Sequence, residues 1–222
     1  VDQLVEIKSK IQINPSRVGK KYFIKTFGCQ MNEHDSERIS GMFELDGMSK
    51  ATSEEYADVL FVNTCTIREN ADDKLYGTLG QLKQWKLQKD NRKLLVGGCA
   101  AQKDKELVRE KAPWVDVVIG THNLTNVVDL LNRSEDWGPL TEIIDEIETL
   151  PTEAPSIRES EYSAWLTIQI GCNNSCTFCI VPSVRGQEIS RRPSDIVNEA
   201  KKLVDEGVKE ITLLGQNVNS YG

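Results

Sequence analysis

The sequence has little of what marks a membrane protein or a secreted domain held by disulfides. Its 222 residues contain no apolar run near the ~20 residues of a membrane-spanning helix, so we expect no membrane partner. The first residues, VDQLVEIKSK, include no initiator Met and no apolar signal-peptide core, which indicates a ragged or trimmed start and a cytoplasmic protein. Six cysteines are too few for a disulfide scaffold. In a reducing compartment, grouped cysteines more often bind metal or take part in chemistry.

Negative charge is concentrated in one segment of the chain. The net charge of −7 would ordinarily argue against a nucleic-acid partner. Residues 133–161 contain nine acidic and two basic side chains and carry all of that charge, so the remaining sequence is balanced. With Pro151, Pro155 and little periodicity, this stretch is typical of a solvated connector, and we assign 136–160 as an acidic linker.

The residues before the linker alternate between strand and helix patterns. Short runs rich in β-branched residues predict buried strands at 21–28, 58–64, 93–98 and 115–120. Helix-patterned segments lie between and after them, at 33–45, 67–88, 103–111 and 124–132. Such alternation predicts a parallel sheet with helices on both faces, so residues 20–135 are expected to form a small doubly wound α/β domain.

A second α/β unit is predicted over 161–222. Its sequence indicates a strand at 164–170, a helix at 192–207 and another strand at 210–215. Two strands and one helix cannot bury a core of their own. We therefore expect the chain to stop inside its second domain.

Three cysteines cluster directly after the first strand of this second unit. Cys172, Cys176 and Cys179 have the spacing CxxxCxxC and would lie at the carboxyl edge of that strand, where α/β folds place their chemistry. Structural zinc needs four ligands, and the only two histidines, His34 and His122, lie in the first domain. An iron–sulfur cubane held by three thiolates leaves one iron free, and we prefer that interpretation to structural zinc or redox thiols.

The other three cysteines are far apart in sequence but occupy equivalent places in the predicted fold. Cys29, Cys65 and Cys99 each follow a predicted strand of the first domain, so parallel strands would bring them to one edge of the sheet. Any one of them alone could be a small buried apolar residue. Three at equivalent strand ends predict a second three-thiolate site.

These cysteines lie in segments that resemble a known family. The CxxxCxxC motif, with Phe178 before its last cysteine, resembles the radical S-adenosylmethionine superfamily. The segments KTFGCQMNEHDSERI, NTCTIRENADDKLYG and GGCAAQ resemble the amino-terminal domain of the methylthiotransferases, and GCNNSCTFCIVP, RGQEISR and LLGQNVNSYG resemble the start of their radical domain. The resemblance spans nearly 21–222 and implies that the second unit begins a partial (β/α) barrel.

Within that family, the sequence is most similar to the tRNA enzymes of the MiaB type. The signature residues are Gln-Met-Asn after Cys29, Thr-Ile-Arg-Glu-Asn after Cys65 and the run GQNVNSY at 215–221. The implied reaction adds a methylthio group to carbon 2 of an isopentenyl-modified adenosine beside the anticodon. The branch that acts on threonylcarbamoyl-adenosine is the nearer alternative, and the branch that modifies a ribosomal protein is the more distant one.

The resemblance also implies the cofactors and partners. Cys172, Cys176 and Cys179 would hold a 4Fe-4S cluster whose open iron binds S-adenosylmethionine and generates the 5′-deoxyadenosyl radical. The set Cys29, Cys65 and Cys99 would hold an auxiliary 4Fe-4S cluster that carries the transferred sulfur. The expected partners are a tRNA anticodon stem-loop and an electron donor such as flavodoxin or ferredoxin, for an enzyme that is a monomer. The fragment alone is expected to be inactive.

Two further groups of residues are candidates for binding. Gln216, Asn217 and Asn219 follow the second strand of the radical unit, where this superfamily reaches the amino group of S-adenosylmethionine; an amide-rich turn that satisfies its own backbone is the alternative. Arg185, Arg191 and Arg192 give the flank of the cysteine loop a positive balance suited to RNA phosphates, with solvated surface arginines as the alternative.

Beside the first cysteine, His34 and Asp35 suggest acid–base chemistry. A position at the start of a helix is sufficient to explain Asp35, and the sequence shows no partner for it. We therefore assign neither residue a catalytic role.

Overall fold

A computed structural model describes residues 13–66, 71–146 and 155–222. The predicted helix start at 67–70, residues 147–154 of the predicted linker and the first twelve residues lie outside the described residues. Two units follow one another along the chain. We call them the first domain (13–142) and the second unit (163–222).

The first domain is built on a parallel sheet, as the sequence predicts. The spatial order of its six described strands is β2-β1-β3-β4-β5-β6. The strands are β1 (Lys21–Thr26), β2 (Ser49–Lys50), β3 (Val59–Thr64), β4 (Lys93–Gly98), β5 (Val117–Ile119) and β6 (Leu140–Glu142). The chain reverses its direction of winding between β1 and β3, and doubly wound sheets bind ligands at the carboxyl edge of such a switch point.

Helices cover both faces of this sheet. They are α1 (Gln30–Leu45), α2 (Ala71–Leu87), α3 (Cys99–Asp104), α4 (Leu107–Lys111) and α5 (Val127–Trp137). The central strand β3 shows how the sequence supports two cores: Leu60 and Val62 pack into the core beneath α2, whereas Val59 and Phe61 pack into the core beneath α1 and α5. A strand buried on both faces is apolar along most of its length, which explains why the sequence pattern predicted a strand at 58–64.

One predicted helix of the first domain is divided in two. The sequence prediction placed a single helix at 103–111, whereas the chain forms α3 and α4 with a break at Lys105. Lys105 has a positive φ of 50°, the only such value among the described non-glycine residues, and this conformation cannot continue a helix. The first of the two helices also begins earlier than predicted, at Cys99.

The assignment of 136–160 as linker is wrong at its beginning. Residues 140–142 form β6, which pairs in parallel with β5 and becomes the edge strand of the sheet. The acidic composition of this segment led to its assignment as a linker. The Glu142 carboxylate, however, forms an ion pair inside the first domain. It lies 2.6 Å from Arg133 Nη1 in an ion pair that joins α5 to β6. The first domain therefore extends beyond residue 135.

The second unit is smaller and less regular. Its strands are β7 (Ser163–Thr167), β8 (Gln169–Ile170), β9 (Ile189–Ser190) and β10 (Glu210–Leu214), and its helices are α6 (Val181–Arg185) and α7 (Pro193–Asp205). β7 and β10 pair in parallel with α7 between them in sequence, while β8 and β9 form a short antiparallel ribbon. Its buried apolar cluster comprises only Ala164, Leu203 and Val208.

The second unit packs on the carboxyl edge of the first domain through α6. This helix contacts α3, and the Thr121 hydroxyl donates a 2.6 Å hydrogen bond to the carbonyl of Val184. Val184 itself is fully buried. The two units therefore share a closed interface at the edge where the sequence analysis expected the chemistry. None of the helices in the described ranges is both long and apolar enough to cross a membrane.

Candidate metal centres at the domain interface

The three scattered cysteines lie at one edge of the first-domain sheet. Cys29 caps the amino terminus of α1 just after β1, Cys65 follows β3 directly, and Cys99 is the first residue of α3 after β4. None of the three forms a disulfide; Cys29 is half-buried, and the other two are buried. We call this set the sheet-edge site. Burial raises the pKa of the Cys99 thiol, and the neighbouring Cys65 sulfur raises it further.

Two glycines allow the backbone to come close at the sheet-edge site. A Cβ atom on Gly28 would stand 2.9 Å from the Cβ of Cys65, which shows how near the first two cysteine-bearing segments lie. Gly98 has φ +89°, and a Cβ there would collide with the Asn63 side chain and the backbone of Thr64. Glycine is therefore required at position 98 both by its conformation and by the space available.

A buried amide network supports this site. The Cys29 thiol donates a 3.3 Å hydrogen bond to Asn32 Oδ1. Asn32 Nδ2 in turn donates to Asn63 Oδ1 at 3.0 Å. Asn63 Nδ2 donates to the Asn32 carbonyl at 2.7 Å and to Ser36 Oγ at 2.9 Å. Because Asn32 and Asn63 are fully buried, the network fixes the first turn of α1 against the end of β3. The sequence analysis used Asn32 only as a signature residue and assigned no role to Asn63, although an Asn within an otherwise apolar strand was a usable signal.

The clustered cysteines lie in one loop between β8 and α6, which we call the loop site. Cys172 is buried, whereas Cys176 and Cys179 are exposed. The amide of Cys172 donates to the Gly186 carbonyl at 3.2 Å, and the amide of Cys179 donates to the Cys176 carbonyl at 3.1 Å. Phe178 is 99% exposed, so nothing in the described residues covers the outer part of this loop.

The donor chemistry of both sites is thiol only. Soft thiolates without oxygen ligands are the set that iron–sulfur clusters prefer. Within 13–66, 71–146 and 155–222, no three Cys, His, Asp or Glu side chains lie where they could jointly hold a single metal ion. The residues of each set fit a cluster by their thiol chemistry and by their common sheet edge or loop.

Arg185 lies beside the sheet-edge site. Its Nη1 lies 2.8 Å from the Asp35 carboxylate on α1, and its positive charge partly offsets the rise in the pKa of the Cys99 thiol that burial causes. The sequence analysis treated Arg185 as an exposed phosphate ligand and Asp35 as a helix-start residue without a partner. Both interpretations are wrong, because the two charges meet in the interface and are only 5% and 6% exposed.

The other two arginines of the predicted basic flank differ from each other. Arg191 is buried, pairs with Glu199 at 2.6 Å and donates to the Thr167 carbonyl at 2.7 Å, so its prediction as a surface phosphate ligand is also wrong. Its charge is used to hold α7 against β7. Arg192, at the start of α7, is exposed. The three arginines do not form one basic surface.

Two histidines lie in the same interface. His34 Nδ1 and Thr167 Oγ1 form a 2.8 Å hydrogen bond between α1 and β7. Burial, with Arg38 and Arg191 nearby, lowers the pKa of His34 well below its usual value. Burial and Arg185 likewise lower the pKa of His122. Both rings are therefore neutral at pH 7.

The predicted S-adenosylmethionine residues follow β10. Asn217 accepts hydrogen bonds through its carbonyl from the Ser220 amide at 3.0 Å and the Ser220 hydroxyl at 2.8 Å, which closes a single 3-10 turn. Asn219 is exposed. The Gln216 side-chain oxygen is buried without a hydrogen-bond partner among the described residues. These contacts account for the turn, and binding of S-adenosylmethionine by the three amides stays a prediction.

A cavity of about 340 Å³ lies at the end of α6, where the two units meet. It is lined by His122, Glu146, Arg185 and residues 186–189. None of the six cysteines lines it, but Gly186 accepts the hydrogen bond from the Cys172 amide, so the cavity lies next to the loop site. Its size falls within the range of small-molecule sites, roughly 300–1,000 Å³.

Comparison with known proteins identifies two matched segments. Residues 21–120 match the family described as Uncharacterized protein family UPF0004, and residues 166–222 match the Radical SAM superfamily. Three similar relatives carry the name tRNA-2-methylthio-N(6)-dimethylallyladenosine synthase. The protein of Tropheryma whipplei is 57% identical over 202 residues, which are 90% of this chain and 43% of that protein. The protein of Corynebacterium urealyticum is 52% identical over 217 residues (97% and 40%), and that of Mycolicibacterium smegmatis is 52% identical over 211 residues (95% and 41%).

The chain thus spans about two fifths of the length of the curated relatives that it matches. The sheet-edge cysteines all lie within the first matched segment, and the loop cysteines all lie within the second. Along the chain, the match to UPF0004 is followed by the match to the Radical SAM superfamily.

Proposed function

We propose that the protein containing this chain is a radical tRNA methylthiotransferase that adds sulfur and a methyl group at carbon 2 of an isopentenyl-modified adenosine beside the anticodon. The observation that carries this proposal is the presence of two three-thiol sets, one at the sheet edge of the first matched segment and one in the loop of the second. The name of the relatives favours the dimethylallyl substrate over threonylcarbamoyl-adenosine or a ribosomal protein.

The reaction explains why thiol-only sites are needed. Carbon 2 of adenine is an unactivated C–H position that neither a thiolate nor a general base can functionalise. Two 4Fe-4S clusters with S-adenosylmethionine would supply radical generation and a source of sulfur, and the protein would supply binding and orientation. The cluster that binds S-adenosylmethionine would be held by Cys172, Cys176 and Cys179, and the auxiliary cluster by Cys29, Cys65 and Cys99.

The remaining residues would hold these groups in place. The buried Asn32–Asn63 network fixes Cys29 relative to the end of β3, and Gly98 keeps the turn before Cys99 free of side-chain atoms. In the second unit, the Gly186 carbonyl holds the amide of Cys172. The turn that contains Gln216, Asn217 and Asn219 would meet the amino group of S-adenosylmethionine. The adenosine would enter the interface cavity beside Gly186.

Recognition of RNA requires groups other than the buried arginines. Arg192 is the exposed member of the predicted basic flank, and we assign it alone as a phosphate contact for the anticodon stem-loop. A flavodoxin or ferredoxin would deliver the electron, and the enzyme would act as a cytoplasmic monomer. The exposed Cys176, Phe178 and Cys179 leave the loop site accessible to such partners.

Two measurements test the proposal. Nucleoside analysis of tRNA from cells that lack the gene should show loss of the methylthio group from the dimethylallyl-adenosine and accumulation of the unmethylthiolated form. Persistence of every methylthio-adenosine would refute the tRNA function. Selective loss of the methylthio group from threonylcarbamoyl-adenosine would instead assign the enzyme to the branch that acts on that nucleoside.

The second measurement concerns the clusters. After anaerobic reconstitution, the full-length protein should hold about eight irons, and about four should remain when Cys172, Cys176 and Cys179 are replaced by Ala. Binding of zinc alone, with no visible absorption that bleaches in air, would support a non-catalytic zinc-binding module instead.

A further inference from the structure

A second, smaller cavity lies where α1 meets the second unit, and we call it the α1 cavity. Its volume is about 40 Å³, which is room for a few waters or for one small ion. Its walls come from α1, from the segment between β5 and α5, and from β7, β8 and α6 of the second unit. The charged and imidazole side chains that line it are Asp35, Arg38, His122 and Arg185.

The α1 cavity contains buried nitrogen donors without partners. Arg185 is only 5% exposed, and its Nη1 is used by the Asp35 carboxylate at 2.8 Å. Its Nη2 is buried and has no hydrogen-bond partner among the described residues, and the same is true of His122 Nε2. Arg185 and His122 also line the larger interface cavity, whereas Asp35 and Arg38 do not.

Arg38 is the second guanidinium on this cavity. It is partly buried on α1, and it forms no ion pair and no side-chain hydrogen bond with any other residue of the described ranges. Burial lowers the pKa of the Arg38 side chain, because it removes water from the charged form. A desolvated cation without a partner is costly, so this position favours a counter-ion.

The neighbouring charges leave Arg38 unbalanced. Arg185 is paired with Asp35 at 2.8 Å, and Arg191 is paired with Glu199 at 2.6 Å. One positive charge, that of Arg38, therefore remains in this part of the interface. Water could satisfy the unpaired N–H groups, but only an anion would also offset the charge.

We propose that the α1 cavity binds one small inorganic monoanion of about the size of chloride, held by Arg38 and by Nη2 of Arg185. Arg38 belongs to the first domain and Arg185 to the second unit, so the anion would join the two units. Asp35 lines the same cavity, and its carboxylate opposes the anion while it holds Arg185 in place. The inference requires neither a cluster nor the proposed reaction.

The proposal predicts effects of opposite sign for two residues of the cavity. Arg38→Gln removes the unbalanced cation and should weaken chloride binding about tenfold or more. Asp35→Asn removes a like charge and should strengthen it. Arg38→Lys keeps the charge and should retain part of the affinity. Arg192→Gln, with the same charge change on an exposed side chain, should leave the affinity unchanged.

The test uses the metal-free full-length protein and chloride itself as the probe. The line width of the chloride NMR signal reports binding, with gluconate replacing chloride at constant ionic strength because gluconate is too large for the cavity. Excess broadening should be present at about 0.15 M chloride, the physiological ionic strength. Crystals grown in bromide locate the ion, and an anomalous peak is expected in the cavity between Arg38 and Arg185.

Three results would overturn the inference. They are the lack of excess broadening in the intact protein, broadening that Arg38→Gln leaves unchanged, and a cavity that holds water while bromide lies only elsewhere, which would show an adventitious ion only. Weaker binding in both Arg38→Gln and Asp35→Asn would indicate a merely structural role and would also overturn it. If Arg38→Gln does not fold by circular dichroism, Arg38→Lys and Asp35→Asn decide the sign. Since no readout involves iron or tRNA, the inference and the proposed function can fail separately.

Discussion

The two cysteine sites are made in different ways from the same number of thiols. The sheet-edge site takes one cysteine from the end of each of β1, β3 and β4, so it exists only when the parallel sheet has formed. The loop site takes all three from residues 172–179, and two of its cysteines are exposed. The first site is a property of the tertiary fold, whereas the second is largely a property of one loop. Their responses to mutation and to local opening should therefore differ.

Glycine substitutions should give the largest difference between the two sites. Gly98 has φ +89° and ψ −166°, and a Cβ there would collide with Asn63 and Thr64. We expect Gly98→Ala to lower the free energy of unfolding of the first domain by about 4 kcal/mol, as the sum of backbone strain and crowding. Gly171→Ala, whose Cβ would collide with the Gln187 backbone, should displace the loop and leave the main unfolding transition unchanged. Urea unfolding followed by circular dichroism measures both.

Gly138→Ala is the matched control for Gly98→Ala. Gly138 has nearly the same backbone, φ 91° and ψ −175°, but a Cβ there would meet nothing within 4 Å. Gly138→Ala should lower the free energy of unfolding by about 2 kcal/mol, from backbone strain alone. Equal losses at the two positions would show that crowding at the sheet-edge site contributes nothing.

The next largest difference between the two sites should be in the rate at which their thiols are labelled. In the metal-free protein, Cys176 and Cys179 should react with a maleimide at the rate of exposed thiols. Cys65 and Cys99 should react about 100-fold more slowly, because labelling requires local opening of the sheet edge. Burial also raises the pKa of Cys99 and reduces its reactive thiolate. Mass spectrometry of labelled peptides over time measures this, and fast labelling of Cys65 would contradict a site formed by the fold.

Loss of the Asn32–Asn63 network should lower the free energy of unfolding less than Gly98→Ala does, and it should affect only the sheet-edge site. Asn63→Ala removes hydrogen bonds to Asn32 and Ser36 and leaves buried groups unpaired, at a cost of about 2 kcal/mol. As a second readout, Cys29 should label faster, while Cys176 keeps its rate. Asn219→Ala, an exposed amide after β10, is the control and should change stability by less than about 0.5 kcal/mol.

The sequence predicted the sheet-edge site because its signals are local. β4 was predicted at its observed bounds, and β3 within one residue, since strands buried on both faces are apolar throughout. The cysteines after them could then be placed on one edge from topology alone. Strand β6 was missed because acidic side chains that pair within the fold look the same in sequence as acidic side chains in a solvated linker.

The interface could not be predicted in the same way. Whether Arg185 contacts an RNA phosphate, water or Asp35 depends on a residue 150 positions away in sequence, and no local pattern encodes that pairing. The same holds for Asn32 and Asn63, whose partners are set by the register of β3 against α1. Sequence reasoning proposed the six cysteines, and the structure was needed to find the buried residues around them and in the contact between the two units.

The smallest predicted effect concerns pH and the contact between the two units. Burial, with Arg38 and Arg191 nearby, lowers the pKa of His34 well below its usual value near 6.5, so the folded protein keeps the ring neutral while the unfolded chain takes up a proton. The stabilisation is complete above pH 6.5 and is lost as the pH falls from there toward the folded pKa. The expected loss is about 1 kcal/mol per pH unit.

His34→Gln should reduce the loss of stability per pH unit between pH 6.5 and 5.5, as measured by urea unfolding at each pH. His122→Gln should reduce this loss of stability less, because burial lowers the pKa of His34 well below its usual value, whereas Asp145 and Asp35 partly offset the lowering of the His122 pKa. His34 Nδ1 also forms the 2.8 Å hydrogen bond to Thr167 in β7. Since that bond joins α1 to the second unit, mild acid should weaken the contact between the two cysteine sites before it unfolds the sheet. Cys99 labelling should then accelerate in parallel with the loss of stability. If the thiol stays protected while stability falls, the acid-sensitive contact lies elsewhere than between the two sites.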